Sequence, residues 1–204
     1  MGSEIEIKLE LKNEDVLVDI LEDEKIKAEL GNFSIVSMNA SYFDTSDLDL
    51  LSHNYVIRIR KENGVKVCTL KKRKEELESG VLVREEWNKE INSNDYSLDY
   101  FPEVAGELKA IVGSKELREI IETDFIRRKL DVRYHDSLLE LDVDYGKIIA
   151  GNKEIPIHEV EVELKEGTEK DILDFIEEYL KGYDLKVVTY SKFSRGLELF
   201  QGKI

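Results

Sequence analysis

The chain has 204 residues, 41% of them hydrophobic, and sets 30 Lys and Arg against 45 Asp and Glu for a formal charge of −15. That predicts a soluble single domain over residues 1–204, and the absence of both a run of roughly 20 apolar residues and a basic-then-apolar leader predicts a cytoplasmic one without membrane partners. One cysteine, Cys68, and three histidines, His53, His135 and His158, exclude an internal disulfide and a thiolate metal centre, and the acidic balance excludes a general nucleic-acid surface.

Residues 4–11 alternate charged and apolar side chains without a break, the period of a strand with one polar face. Asn13 is placed to cap a helix whose apolar face is Val16, Leu17, Ile20 and Leu21, and a second helical stretch runs to Leu30 before Gly31. Residues 40–45 read as a strand, followed by a polar connection holding Asp47, Asp49 and Ser52. Residues 55–62 and 65–73 are two strands around Asn63-Gly64, a strong hairpin signal. A further strand spans 81–91. After Pro102, Val104, Leu108, Ile111 and Val112 predict a short helix ending at Gly113, with Ser114 capping another turn. Strands follow at 124–134, 137–144 and 157–165, separated by turns with Gly146, Gly151 and Pro156. Thr168 and Asp171 form a capping-box pattern ahead of the stripe Ile172, Phe175, Ile176, Tyr179 and Leu180. Residues 187–190 read as a last short strand and 191–196 as a basic turn.

Sorting the strands by parity exposes ionic polar faces. They carry Glu4, Glu6, Lys8 and Glu10; Arg58, Arg60 and Glu62; Thr69, Lys71 and Arg73; Arg84 and Glu86; Arg127 and Lys129; Glu140, Asp142 and Asp144; and Glu159, Glu161, Glu163 and Lys165. Either these charges line the lumen of an antiparallel barrel of about eight strands, or they are the solvated face of an open sheet with helices on its apolar side. Recurrent Arg-x-Arg and Glu-x-Glu-x-Glu favour the lumen. Segregated acids and bases suit a polyphosphate bound through cations, with Arg and Lys on phosphate oxygens and carboxylates on Mg²⁺ or Mn²⁺. Glu86 stands where it can orient Arg84, and a one-residue register error would exchange the faces of Arg128 and Lys129.

The first strand, Glu4-Ile5-Glu6-Ile7-Lys8, resembles the Glu-x-Glu-x-Lys signature of the CYTH superfamily, the triphosphate tunnel metalloenzymes. In the expected order follow Tyr42-Phe43-Asp44-Thr45, Ile57-Arg58-Ile59-Arg60-Lys61, Thr69-Leu70-Lys71, Arg84-Glu85-Glu86-Trp87, Asp144-Tyr145-Gly146, Glu159-Val160-Glu161-Val162-Glu163 and Ser191-Lys192-Phe193-Ser194-Arg195-Gly196. The resemblance spans nearly the whole chain. It implies an α+β fold, an eight-stranded antiparallel β-barrel flanked by helices.

Carried over position by position, the resemblance implies that Glu4, Glu6, Glu161 and Glu163 hold Mg²⁺ or Mn²⁺, with Asp144 and Glu159 on the metal side or orienting water, and that one of the late glutamates handles the attacking water. Glu4, Glu6, Glu159, Glu161 and Glu163 would form the catalytic set. Lys8, Arg58, Arg60, Lys71, Arg84, Arg127, Lys192 and Arg195 would bind phosphate, and Arg73 joins them by parity. The implied activity is metal-dependent hydrolysis of the terminal phosphate of a small triphosphate, inorganic tripolyphosphate first. Adenylate cyclase of the class IV type, thiamine triphosphatase and a non-catalytic polyphosphate-binding module stay open beside it. Arg195 beside Gly196 also has a plainer reading, as a cation at a helix C-terminus.

Overall fold

The computed structural model describes residues 5–76, 82–92 and 96–204, with side chains left aside at 73–76 and 82–84. Glu4 therefore lies outside the described residues, as do the side chains of Arg73 and Arg84. The strands are β1 (Ile5–Leu11), β2 (Ser34–Asp44), β3 (Tyr55–Glu62), β4 (Val65–Glu76), β5 (Leu82–Ile91), β6 (Arg118–Tyr134), β7 (Ser137–Ala150), β8 (Lys153–Glu166) and β9 (Leu185–Val188). The helices are α1 (Glu14–Glu22), α2 (Glu24–Glu29), α3 (Asp49–Ser52), α4 (Ala105–Val112), α5 (Glu169–Phe175), which continues as a π-turn Ile176–Leu180, and α6 (Lys192–Phe200).

Hydrogen bonds order the strands β5-β4-β3-β2-β6-β7-β8-β1-β9. This is the expected antiparallel sheet with flanking helices, but it has nine strands and its hydrogen bonds do not close it among the described residues. β1 pairs with β8 on one edge and, through Lys8↔Val188 to Leu11↔Leu185, with the short β9 on the other, so β9 and β5 stand at the two ends of the order.

The chain divides into two compact units. The first contains the chain up to Ser37, Phe125–Lys147 and Pro156–Ser191. Alternate residues of its strands, among them Leu9, Leu11, Leu130, Val132, Leu139, Leu141, Val160 and Val162, pack against Ile20 and Ile26 from α1 and α2 and Ile172 and Phe175 from α5. Asn13 caps α1 as expected, accepting from the Val16 amide at 3.2 Å. Thr168 precedes α5 as expected but makes no side-chain cap bond, and Asp171 instead accepts from Ser137 Oγ.

The second unit contains Met38–Asp124, Ile148–Ile155 and Lys192–Ile204. Its core joins Leu50, Tyr55, Ile57, Cys68, Leu70, Phe101 and Leu108, with Trp87 packed against it. The Asn63-Gly64 turn is a tight hairpin with both residues at positive φ, 46° and 92°, and it sets Glu62 opposite Val65. The polar connection after β2 contains α3. The buried Asp44 carboxylate accepts from the amides of Thr45, Leu50 and Leu51, which ties β2 to the start of that helix. Burial nonetheless pushes the Asp44 carboxyl above its ordinary range, with those amides opposing the shift.

Five strands run longer than periodicity predicts, β2 and β4 as well as β6, β7 and β8. Ile120 and Ile121 are buried in β6, so Ser114 caps no helix and the chain is extended from Arg118. Ile148 and Ala150 carry β7 past Gly146, and Ile157 in β8 follows a Pro156 that sits inside the strand. Residues 191–196, read as a turn, belong to helix α6 from Lys192 onward.

Candidate metal and phosphate site

In the first unit the polar positions of β1 and β8 face one another as Glu6↔Glu163, Lys8↔Glu161 and Glu10↔Glu159. Directly opposed carboxylates repel unless cations offset them. Lys8 Nζ lies 3.0 Å from Glu6 Oε1 and 2.9 Å from Glu161 Oε1. Arg127 of β6 binds Asp144 through both oxygens, at 2.8 and 2.7 Å, and reaches Glu161 at 2.7 Å and Asp142 at 2.5 Å. Asp142, Asp144, Glu159 and Glu161 are all buried.

Lys8 and Arg127 thus bridge Glu6, Asp142, Asp144 and Glu161. Burial opposes the charge on Arg127, but Asp144, Glu161 and Asp142 outweigh it and hold the guanidinium firmly protonated. Asp142 goes the other way. Burial first, then Glu140, Asp144 and Glu161, push its carboxyl up to about 8 against the pull of Arg127. Among the described residues Asp142 Oδ1 is buried without a hydrogen-bond partner. An oxygen-only donor set of closely spaced buried carboxylates and an orphaned carboxylate oxygen fit a hard divalent cation.

Lys129 shares the polar face of Arg127 and pairs with Glu140, which settles the register left open between Arg128 and Lys129. Lys165 reaches Glu163 at 2.7 Å and Glu140 at 3.2 Å. A separate group of ligand atoms mutually within 4.8 Å is His135, Asp171 and Asp174. Asp171 there is engaged by Ser137 and His135, and Asp174 by Lys170.

In the second unit, register aligns Tyr42, Arg58, Thr69 and Asn88 in one cross-strand row over β2, β3, β4 and β5. The neighbouring row holds Val56, Lys71 and Glu86. Among the described residues Arg58 Nε is buried without a hydrogen-bond partner, and Arg60 Nη2 lies 3.7 Å from Glu62. Arg73 and Arg84 are opposite one another in the β4–β5 ladder. Lys192 and Arg195 sit in the first turn of α6, where a cation opposes the helix dipole. The helix C-terminus reading of Arg195 is therefore overturned, and helix stability does not account for either charge.

The structure brings together Lys8, Arg127, Asp144 and Glu161, with Glu6 joined through Lys8, as parity predicts. Two features went unassigned in the sequence. Asp142 shares the parity of Asp144 but lies outside the quoted motif. Glu86 bonds Lys71 at 2.8 Å, a partner not expected from the sequence, while the Arg84 side chain it was expected to orient lies outside the described residues.

A family model of the CYTH domain matches residues 2–197. The inorganic triphosphatase of Haemophilus influenzae is 33% identical over an alignment of 177 residues that covers 82% of this chain and 48% of that protein, so the chain spans about half the length of this relative. Two solved structures share the fold at 22% identity. A candidate adenylyl cyclase from Hippeastrum with a dominant triphosphatase activity has a TM-score of 0.56, covering 98% of this chain and 96% of its own. A candidate adenylate cyclase from Bacillus halodurans has a TM-score of 0.55, covering 95% and 98%. With a family match running through nearly every strand that carries the ionic faces, the chain belongs to the CYTH domain family.

Proposed function

We propose that the chain is a divalent-metal-dependent triphosphatase that hydrolyses the terminal phosphate of a small triphosphate, inorganic tripolyphosphate first. The observation that carries this reading is the buried carboxylate cluster around Arg127, in which Asp142, Asp144 and Glu161 converge on one guanidinium and, among the described residues, Asp142 Oδ1 has no hydrogen-bond partner. The name of the Haemophilus influenzae relative and the activity of the Hippeastrum protein support it.

In this reading Glu4, Glu6, Asp144, Glu161 and Glu163 hold Mg²⁺ or Mn²⁺, and Asp142 joins them. The ion would neutralise charge developing on phosphate oxygens. Glu159 is assigned to orienting the attacking water, and Lys8, Arg58, Arg60, Lys71, Arg73, Arg84, Lys192 and Arg195 to binding phosphate oxygens. Arg127 has a narrower role than the resemblance implies. A guanidinium offers five N–H donors and four of them face Asp142, Asp144 and Glu161, so at most one is left for phosphate.

The test is a substrate panel of tripolyphosphate, ATP and thiamine triphosphate with Mg²⁺ and Mn²⁺. Orthophosphate from tripolyphosphate, lost by orders of magnitude in folded Glu6→Ala and Glu161→Ala proteins, is the expected result. Cyclic AMP and pyrophosphate from ATP, or full activity in those variants, would overturn it.

A further inference from the structure

Four side chains of the β4–β5 ladder are joined end to end. Thr69 is directly opposite Asn88, and Lys71 directly opposite Glu86. Side chains at alternate positions share a face, so all four project to the same side. The buried Thr69 donates from Oγ1 to Asn88 Oδ1 at 2.6 Å. Asn88 Nδ2 then donates to Glu86 Oε1 at 2.9 Å, and Lys71 Nζ meets the other oxygen, Oε2, at 2.8 Å. Each carboxylate oxygen of Glu86 thus has its own partner; the carboxylate only accepts, so it turns the Asn88 amide N–H toward itself, and the Thr69 hydroxyl donates to the amide oxygen on the other side.

We propose that Glu86, locked by Asn88 and through it by Thr69, is a positioning residue that fixes the Lys71 ammonium for phosphate binding. The inference rests on the triphosphatase reading, in which Lys71 is a phosphate ligand. A lysine side chain loses rotamer entropy on engaging a ligand, and a partner that orders it beforehand removes part of that loss. An ammonium has three N–H donors, so one bond to Glu86 leaves two for phosphate oxygens. The opposing effect is repulsion between Glu86 and a polyanion. Position and repulsion predict opposite signs. Glu86 is 38% exposed in its side chain and Lys71 26%, so solvent screens the repulsion, whereas the ordering is local.

The experiment measures steady-state tripolyphosphate hydrolysis with Mg²⁺, and calorimetric tripolyphosphate binding in EDTA, for the parent, Glu86→Gln, Lys71→Ala and the double variant, each checked for folding by its melting curve. Glu86→Gln is expected to raise KM and weaken binding by roughly two- to fivefold with kcat nearly unchanged, the scale of a half-exposed charge pair. In the Lys71→Ala background the same substitution is expected to change nothing, because Glu86 acts through Lys71. Thr69→Val is expected to reproduce part of the effect and Thr69→Ser to restore the parent's KM. Tighter binding in Glu86→Gln, an unchanged KM, or an undiminished effect without Lys71 would overturn the positioning role. If Lys71→Ala itself matches the parent, or the parent neither binds nor hydrolyses tripolyphosphate, the functional reading has failed and takes this inference with it.

Discussion

Arg127 grips the fully buried Asp144 through both carboxylate oxygens, Nε to Oδ1 at 2.8 Å and Nη2 to Oδ2 at 2.7 Å. The pair matters for what its loss leaves behind. Removing the guanidinium takes a close cation from the buried Asp142, Asp144 and Glu161. Arg127→Met is expected to destabilise the metal-free protein by about 3–5 kcal/mol in urea denaturation with EDTA. Arg127→Lys keeps the charge but not the two-pronged geometry, so an intermediate loss is expected. A Met variant as stable as the parent would show that the carboxylates find other compensation.

Gly196 in α6 is a packing requirement. A Cβ placed there would lie 2.6 Å from Ile121 Cγ2 and 3.0 Å from Ile148 Cγ2, both on β-branched side chains with little freedom to yield. Gly196→Ala is expected to cost about 1–3 kcal/mol of stability. Gly106 in α4 is the control, because a Cβ there meets nothing within 4 Å. Gly106→Ala is expected to add about 0.5–1 kcal/mol by restricting the unfolded chain. Chemical denaturation midpoints should therefore move in opposite directions for two identical chemical changes.

The same glycine shows where sequence reading stopped. In Ser191-Lys192-Phe193-Ser194-Arg195-Gly196 a glycine after polar residues reads as a turn, yet its reason is the close approach to Ile121 and Ile148, which are distant in sequence. Gly146 and Pro156 misled in the same way, as local turn signals inside strands whose extent is set by buried Ile148, Ala150 and Ile157. The alternation of β1 and β8 was legible because one face is apolar core, and register then puts Lys8 opposite Glu161. The Lys71–Glu86 bond was not legible. Parity assigns both to a polar face, but only the β4–β5 register shows that Glu86 lies across from Lys71.

Asp171 gives a pH dependence with a definite sign. Ser137 Oγ donates to its Oδ2 at 2.5 Å and His135 Nδ1 lies 3.2 Å from Oδ1, and these bonds hold the carboxyl below its ordinary value of 3.8. A carboxyl lowered in the folded state stabilises the fold above its unfolded pKa, and that contribution is lost as pH falls through the folded value. The stability advantage of the parent over Asp171→Asn is thus expected to be flat at neutral pH and to shrink below about pH 4. Urea denaturation of both proteins from pH 7 downward measures it, and a constant difference across that range would remove Asp171 as the source.

Asp142 sets the sharpest test of the cation reading, because one substitution should change sign with the metal. Burial and the neighbouring Glu140, Asp144 and Glu161 push its carboxyl up to about 8, so ionising it at neutral pH costs the metal-free fold more than Arg127 returns. Among the described residues its Oδ1 is buried and unpartnered. In EDTA, Asp142→Asn is therefore expected to melt higher than the parent. With Mg²⁺ or Mn²⁺ the order should narrow or reverse, since a ligand at one hundred times its dissociation constant adds about 2.7 kcal/mol to the protein that binds it. The parent is expected to gain most of that, and the variant, with an amide in place of a carboxylate, clearly less. Equal metal-induced shifts in the two proteins would take Asp142 out of the cation site while leaving its electrostatic cost to the metal-free fold intact.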